Sequence, residues 1–207
     1  MSTLTSLTSR GSRLLRGARA TGLMVAVAAL GAQRPADAQG GRPPQLATDI
    51  TAAEIRTVLD SPSDIADRLV TAVDMGTYNV GVGALRRGPT KPGAPVSAIN
   101  HANITEVYYI VSGSGTLLTG GEVVDAKPTP ADNPIVHTIV GPSMQGTFRK
   151  AAQRRRVGPG DIVIIPPGVY HGFDEVTTGI DYIAVRPDPS KVLPAGYVHP
   201  SIRANRK

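Results

Sequence analysis

The apolar residues of this chain fall in short runs separated by glycine and proline. Between Thr77 and Leu85, apolar side chains alternate with asparagine and glycine, the period of two expected of a half-buried strand. A second run, 68–73, precedes it across a turn at 74–76. Further strands are predicted at 106–112, 116–119, 135–140, 144–149, 154–157, 161–165 and 179–185. Many short strands with Gly and Pro turns predict an all-β sandwich or barrel.

The pattern predicts one short helix before the strands. Thr51-Ala-Ala-Glu54 has the spacing of a capping box, and the helix should run to about Leu59, where Ser-Pro-Ser interrupts it. Residues 39–50 form a Gly/Pro-containing linker. The Pro-rich end of the chain, from 187, either drapes over the barrel or is disordered.

The first 38 residues have the three parts of a secretory signal peptide. Residues 10–19 carry four Arg and no acid, residues 21–32 are apolar, and Ala36-Asp37-Ala38 offers a cleavage site. The apolar stretch is shorter than the roughly 20 residues that cross a bilayer, so no stable membrane span is expected. The alternative is a basic arm with an apolar patch. We expect cleavage after Ala38 and a periplasmic or secreted protein.

Composition and charge narrow the function further. Cysteine is absent, which excludes disulfides and thiolate metal sites, and with no Trp and two Phe the core must be largely aliphatic. The net charge is +6, but 1–38 hold five Arg and one Asp, so the remainder carries only +2. This nearly balanced charge does not indicate that the domain binds nucleic acid. One basic run, 154–156, is either a solvated turn or an anion site.

Three residues are candidates for a metal site. The chain has four histidines, and His101 and His171 stand at the ends of strong strand segments, with Glu106 beside the first. Imidazole and carboxylate are donors that Fe, Mn, Ni and Zn accept, and three such ligands leave positions open for water, substrate or dioxygen. His137 is interpreted as a barrel residue, or one lining the pocket, and His199 as solvent-exposed.

Two segments resemble the paired motifs of the cupin family. In the first, Gly93 is followed after five residues by Ile99-Asn-His101, after four more by Glu106, and after six more by Gly113. In the second, Gly160 is followed after five residues by Pro166-Pro-Gly168, after two more by His171, and after three more by Glu175. Two landmarks depart from the family pattern: Ile99 replaces the first histidine and Glu175 replaces an asparagine.

The resemblance implies a fold and a ligand set. The fold is a double-stranded β-helix, or jelly-roll barrel, with a short N-terminal helix, over a single domain at 51–190 followed by a tail at 191–207. The implied ligands of one divalent metal ion (Fe, Mn, Zn or Ni) are His101, Glu106 and His171. Because side chains alternate along a strand, Tyr108 shares the face of Glu106. It is either a weak ligand or proton donor near the metal, or a core tyrosine. A homodimer is also implied.

Two classes of function remain open. The first is a metal-dependent enzyme, an oxygenase, isomerase or lyase, acting on a small molecule in the barrel, with Tyr108 or Glu175 as acid/base helpers. The second is a non-catalytic binding or sensing cupin that has lost full metal coordination, which export and the missing first histidine favour. A purely structural barrel is the third and weakest hypothesis, since it assigns no role to two imidazoles and a carboxylate that stand in the register of the motifs.

Overall fold

The computed structural model describes residues 46–205, and the chain from Ala47 onward forms one compact unit. The predicted signal peptide, its cleavage site and most of the linker lie outside the described residues. The elements are α1 Ala52–Asp60, β1 Asp67–Asp74, β2 Asn79–Arg87, β3 Ser97–His101, β4 Glu106–Gly113, β5 Gly115–Pro128, a π-helical segment Ile135–Val140, β6 Ser143–Val157, β7 Ile162–Ile165, β8 His171–Asp174, β9 Ile180–Asp188 and α2 Pro200–Asn205.

The strands pair in a nested order. β2 pairs with β9, β3 with β8, β4 with β7 and β5 with β6, all antiparallel. One sheet has the order β1-β2-β9-β4-β7, and β3, β6, β5 and β8 close into the other. Eight strands paired from the outside inward form a jelly roll. The predicted all-β fold with a short N-terminal helix is confirmed.

The core lies between the two sheets and depends on alternation along the strands. On β4, Glu106, Tyr108 and Ile110 are buried while their neighbours are not, as the period of two requires. On β9, the neighbouring strand of the same sheet, Ile180, Tyr182 and Ala184 form the adjacent buried row.

Helix α1 covers the outer face of β1 and β2. The predicted capping box is present, since the Thr51 hydroxyl accepts from the Glu54 amide at 3.1 Å and the Glu54 carboxylate accepts from the Thr51 amide at 2.9 Å. The helix buries Val58 and Leu59 against Val70 of β1. The cap therefore anchors a helix that shields this face of the sheet from water.

Strands β5 and β6 are longer than predicted. The double glycine was expected to end β5, but the strand continues to Pro128. Gly120 and Gly121 have φ of 61° and 99°, and the register shifts at 122–123, so the strand bends and still keeps its ladder with β6. The two weak strands predicted at 144–149 and 154–157 are consequently one, and the basic run 154–156 lies on a strand rather than in a turn.

The prediction of a strand at 135–140 is wrong. These residues form a π-helical segment, even though Ile and Val favour strands. Asn133 decides the local structure, because its side-chain oxygen accepts from the Ile135 amide at 2.9 Å and its carbonyl from the Val136 amide at 2.9 Å. His137 is exposed on this segment rather than part of the barrel wall.

Two short strands and the tail complete the fold. β3 and β8 were not predicted, because runs of four or five residues show little periodicity. Of the two alternatives for the tail, its described residues pack against the barrel: Leu193 and Ile202 are buried, and the backbone of 196–199 pairs with β1. None of the helices in 46–205 has the length and hydropathy needed to span a bilayer.

Candidate metal centre

The fold brings the three predicted ligands together. His101 is the last residue of β3, Glu106 the first of β4 and His171 the first of β8. β3 and β8 are neighbours in one sheet, while β4 belongs to the other, so the three side chains meet across the interior. Each side chain is at most 4% exposed. Their candidate ligand atoms all lie within 4.8 Å of one another.

Both imidazole rings approach the same carboxylate oxygen. Oε2 of Glu106 is 3.4 Å from His101 Nε2 and 3.1 Å from His171 Nε2, and the two imidazole rings are 5.2 Å apart. Two ligands that each lie about 2.1 Å from one ion are separated by roughly 3.0–3.4 Å in octahedral or tetrahedral geometry. The two separations from Glu106 Oε2, 3.4 and 3.1 Å, match that spacing.

The outer nitrogens of both imidazoles are engaged, which sets the tautomers. His171 Nδ1 is 3.0 Å from the Val169 carbonyl, which can only accept, so Nδ1 carries the proton. His101 Nδ1 is 2.8 Å from the Ser143 hydroxyl, which itself donates to the Gly141 carbonyl. In the neutral form each imidazole therefore turns an unprotonated Nε2 toward Glu106. Burial outweighs the attraction of Glu106 and lowers the pKa of His101, which keeps that ring neutral.

The carboxylate of Glu106 is held ionised and in one orientation. Burial raises the pKa of Glu106, but the charge of Arg186 and contacts with the imidazoles outweigh it and hold the pKa well below its usual range. Arg186 Nε donates to Oε1 at 2.9 Å, and the Tyr108 hydroxyl donates to Oε2 at 2.7 Å. Arg186 holds Oε1, whereas Oε2, which also accepts from Tyr108, faces both imidazoles and is therefore the oxygen placed to act as a ligand.

These observations fit a divalent metal. Two unprotonated imidazole nitrogens and an ionised carboxylate oxygen converge in a buried space, and lone pairs so placed repel one another unless a cation lies between them. The outer hydrogen bonds that the imidazoles donate to Ser143 and Val169 are the kind that orient metal-ligating histidines. The set is a two-histidine, one-carboxylate site.

Arg186 is a buried part of the site that sequence reasoning missed. Its side chain is 0% exposed and contacts Glu106 on one side and Asp67 of β1 on the other. Gly83 makes room for it, since a Cβ there would lie 2.6 Å from Arg186 Nη1. A signal was present in the sequence: Arg186 continues the inward row of Ile180, Tyr182 and Ala184, where an arginine needs a buried partner.

The other predicted residues divide into two groups. Tyr108 is in the cluster, 1% exposed, and bonded to Glu106. Glu175 is not brought to it: its side chain is 59% exposed and contacts Thr116 and Arg154. His199 is half-buried beside Ser201 in the tail.

An open cleft of about 730 Å³ borders the centre at His171. Ala98 and Ile99 of β3, Phe173 of β8 and Val176 supply its apolar walls. The residue that replaces the first motif histidine, Ile99, is thus a wall of the cleft. The volume is in the range of small-molecule sites.

The nested strand pairing defines the class of fold: the chain is a double-stranded β-helix, or jelly roll. No family model matches the sequence, and no curated protein matches it. Among solved structures, it is similar to a protein from Bacillus halodurans, with 14% identity over 82% of this chain and 98% of that one and a TM-score of 0.42.

Two further similar structures carry descriptive names. One is a conserved protein with a double-stranded β-helix domain from Klebsiella pneumoniae, with 13% identity, 70% of this chain and 93% of that one covered, and a TM-score of 0.41. The other is a cupin protein from Bacteroides fragilis, with 16% identity, 67% and 87% covered, and a TM-score of 0.34.

Proposed function

We propose that this chain is an exported cupin that holds one divalent metal ion through His101, Glu106 and His171 and acts on a small molecule in the adjoining cleft. The observation that carries the proposal is the convergence of two imidazole Nε2 atoms on Glu106 Oε2 at 3.4 and 3.1 Å, with both outer nitrogens already engaged. A histidine pair that served only the core would not need both inner nitrogens turned toward one ionised oxygen.

The surrounding residues prepare the site for chemistry. A divalent metal bound there supplies a Lewis acid or a position for dioxygen, which suits an oxygenase, isomerase or lyase. Arg186 fixes the orientation of Glu106. Burial raises the pKa of Tyr108 well above its usual value, so its hydroxyl keeps its proton beside the carboxylate. We assign Tyr108 as a positioning residue that holds Oε2 of Glu106 through this hydrogen bond.

Elemental analysis of the purified mature protein tests the metal assignment. The expected result is one Fe, Mn, Zn or Ni per chain, lost in both His101→Ala and His171→Ala. His137→Ala is the matched control, because that histidine is exposed on the π-helical segment and should leave the metal content unchanged. Metal retained by both ligand variants would refute the assignment. Dioxygen uptake by the Fe(II)-loaded protein with candidate substrates then separates an oxygenase from the other reactions.

A non-catalytic binding or sensing protein is the second candidate. Two observations favour it: Ile99 stands where the family's first histidine would, and Arg186 gives Glu106 a cation partner that does not depend on a metal. This candidate predicts substoichiometric metal and a melting temperature that a chelator does not change. The metal-site proposal predicts that the chelator lowers the melting temperature and that the added ion restores it.

Export is supported by the order of the basic, apolar and small-residue segments in 1–38. Expression of the full chain in a bacterium, followed by cell fractionation and N-terminal sequencing, tests it. The expected mature protein is in the periplasm or medium and begins at Gln39. A cytoplasmic protein that retains Met1 would contradict the proposal.

A homodimer is supported by an apolar area on the outer face of β4 and β7. Tyr109, Val111, Ile162 and Ile164 are 44–67% exposed there, and β7 is the last strand of its sheet. Sedimentation velocity should show a dimer, and Ile164→Lys should shift it toward monomer. A monomer at all concentrations would exclude a role for this face in dimerisation.

A further inference from the structure

One basic side chain in the cleft has donors that the fold does not use. Arg87, the last residue of β2, lines the cleft together with His171. Its Nε donates to the Tyr182 hydroxyl at 2.7 Å, whereas its two terminal nitrogens have no hydrogen-bond or ion-pair partner among residues 46–205. The neighbouring Arg86 differs, because its donors are taken by Asp60 and Asp181.

The Arg87 guanidinium is also held in place. Its central carbon lies 5.6 Å from the centre of the Phe173 ring and 5.9 Å from that of Tyr182. Contact with aromatic rings and a hydrogen bond at Nε restrict the side chain while leaving the outer edge of the guanidinium open. A guanidinium that is already fixed in this way loses little conformational freedom when it binds an anion.

We propose that the cleft binds a small organic carboxylate, with the carboxylate on Arg87 and the apolar body along Ile99 toward His171. This rests on the proposed small-molecule cleft and not on the metal ion. The planar guanidinium matches a carboxylate through two parallel hydrogen bonds, and the half-buried Val96 and Ile99 offer apolar surface in the same cleft. Arg68, Arg86 and Lys91 line the cleft as well, against Asp64 and Asp174, so the charged side chains of the lining favour an anion.

Calorimetric titration of the mature protein tests the proposal with hexanoate and its neutral counterpart hexanamide. Hexanoate should bind at least about tenfold more tightly than hexanamide, since only the acid forms charged hydrogen bonds with Arg87. This comparison uses the wild-type protein and does not depend on whether a variant folds. Equal affinity for the two, or binding of neither, would overturn the proposal.

Variants assign the effect to Arg87. Arg87→Gln should lose about tenfold or more in hexanoate affinity, and Arg87→Lys should retain part of it because the charge remains. Arg149→Gln is the matched control: this exposed arginine pairs with Glu122 and does not line the cleft, so the affinity should not change. Unchanged hexanoate binding in folded Arg87→Gln would refute the assignment.

The titrations are run on both chelator-treated and metal-loaded protein. If the protein retains no metal after metal loading but still prefers hexanoate to hexanamide, this proposal is upheld and the metal assignment fails. Stoichiometric metal without a preference for the acid would uphold the metal site and refute the role of Arg87. The two failures are therefore distinguishable.

Discussion

Arg186→Met removes the cation that Glu106 and Asp67 share inside the barrel. The arginine side chain is 0% exposed, and those of Glu106 and Asp67 are 2% and 21% exposed. Methionine keeps an apolar stem of similar length but no charge. Both carboxylates then face each other's charge in a medium that solvates them poorly, so we expect the metal-free protein to lose stability.

The expected loss follows from the burial of these groups. Removing one partner of a buried ion pair costs about 3–5 kcal/mol, because the remaining charge is left uncompensated. For a domain of this size, each kcal/mol corresponds to roughly 2–4 °C, so the melting temperature should fall by about 6–20 °C. Saturating divalent metal should recover part of the loss, because the ion takes over the compensation of Glu106.

Urea denaturation and calorimetry of the metal-free protein measure the change. Arg149→Met is the control, because its ion pair with Glu122 has side chains 66% and 54% exposed and should contribute less than about 1 kcal/mol. Combining Arg186→Met with Glu106→Gln and Asp67→Asn should restore stability relative to Arg186→Met alone. A loss below about 1 kcal/mol in Arg186→Met, or no restoration in the combined variant, would refute the reasoning.

Three further changes probe the fold and the site by the same urea denaturation. Thr51→Ala removes the cap of α1 and should cost about 1 kcal/mol, with Thr51→Ser close to wild type. Gly172→Ala places a Cβ 2.1 Å from the Ser97 carbonyl, so strands β3 and β8 must separate, at a cost of about 1–3 kcal/mol. Tyr108→Phe keeps the ring but removes the hydrogen bond to Glu106 and should cost about 1–3 kcal/mol. No change in any one of these variants would contradict the contact on which it rests.

Much of the site could be predicted from the sequence because motif spacing records it. Gly93 and Gly113 bracket the first motif, and Pro166 and Gly168 shape the turn before His171, so the ligand candidates follow from counting residues. The capping box of α1 and the alternation in β2 and β4 are equally local signals. Each depends on residues within one turn or one strand, where the side-chain period is visible.

The partners of the site required the tertiary structure. Arg186 meets Glu106 from 80 residues away, and Ser143 meets His101 from 42 away. No local pattern encodes those distances, since the nested pairing of β2 with β9 and β3 with β6 and β8 creates them. Arg87 also required the tertiary structure. The sequence shows only a charged residue at the end of a strand, whereas the packing around it shows which of its donors remain free.

The sequence by itself determined the all-β class, the short capped helix and three residues suited to one metal ion. The tertiary structure decided that β5 passes through Gly120 and Gly121, that 135–140 is helical and that Glu106 presents a single oxygen. The physical reason is the distance along the chain over which each effect acts. Propensity and periodicity act over a few residues, whereas strand pairing and the neutralisation of buried charge depend on groups that only the folded chain brings into contact.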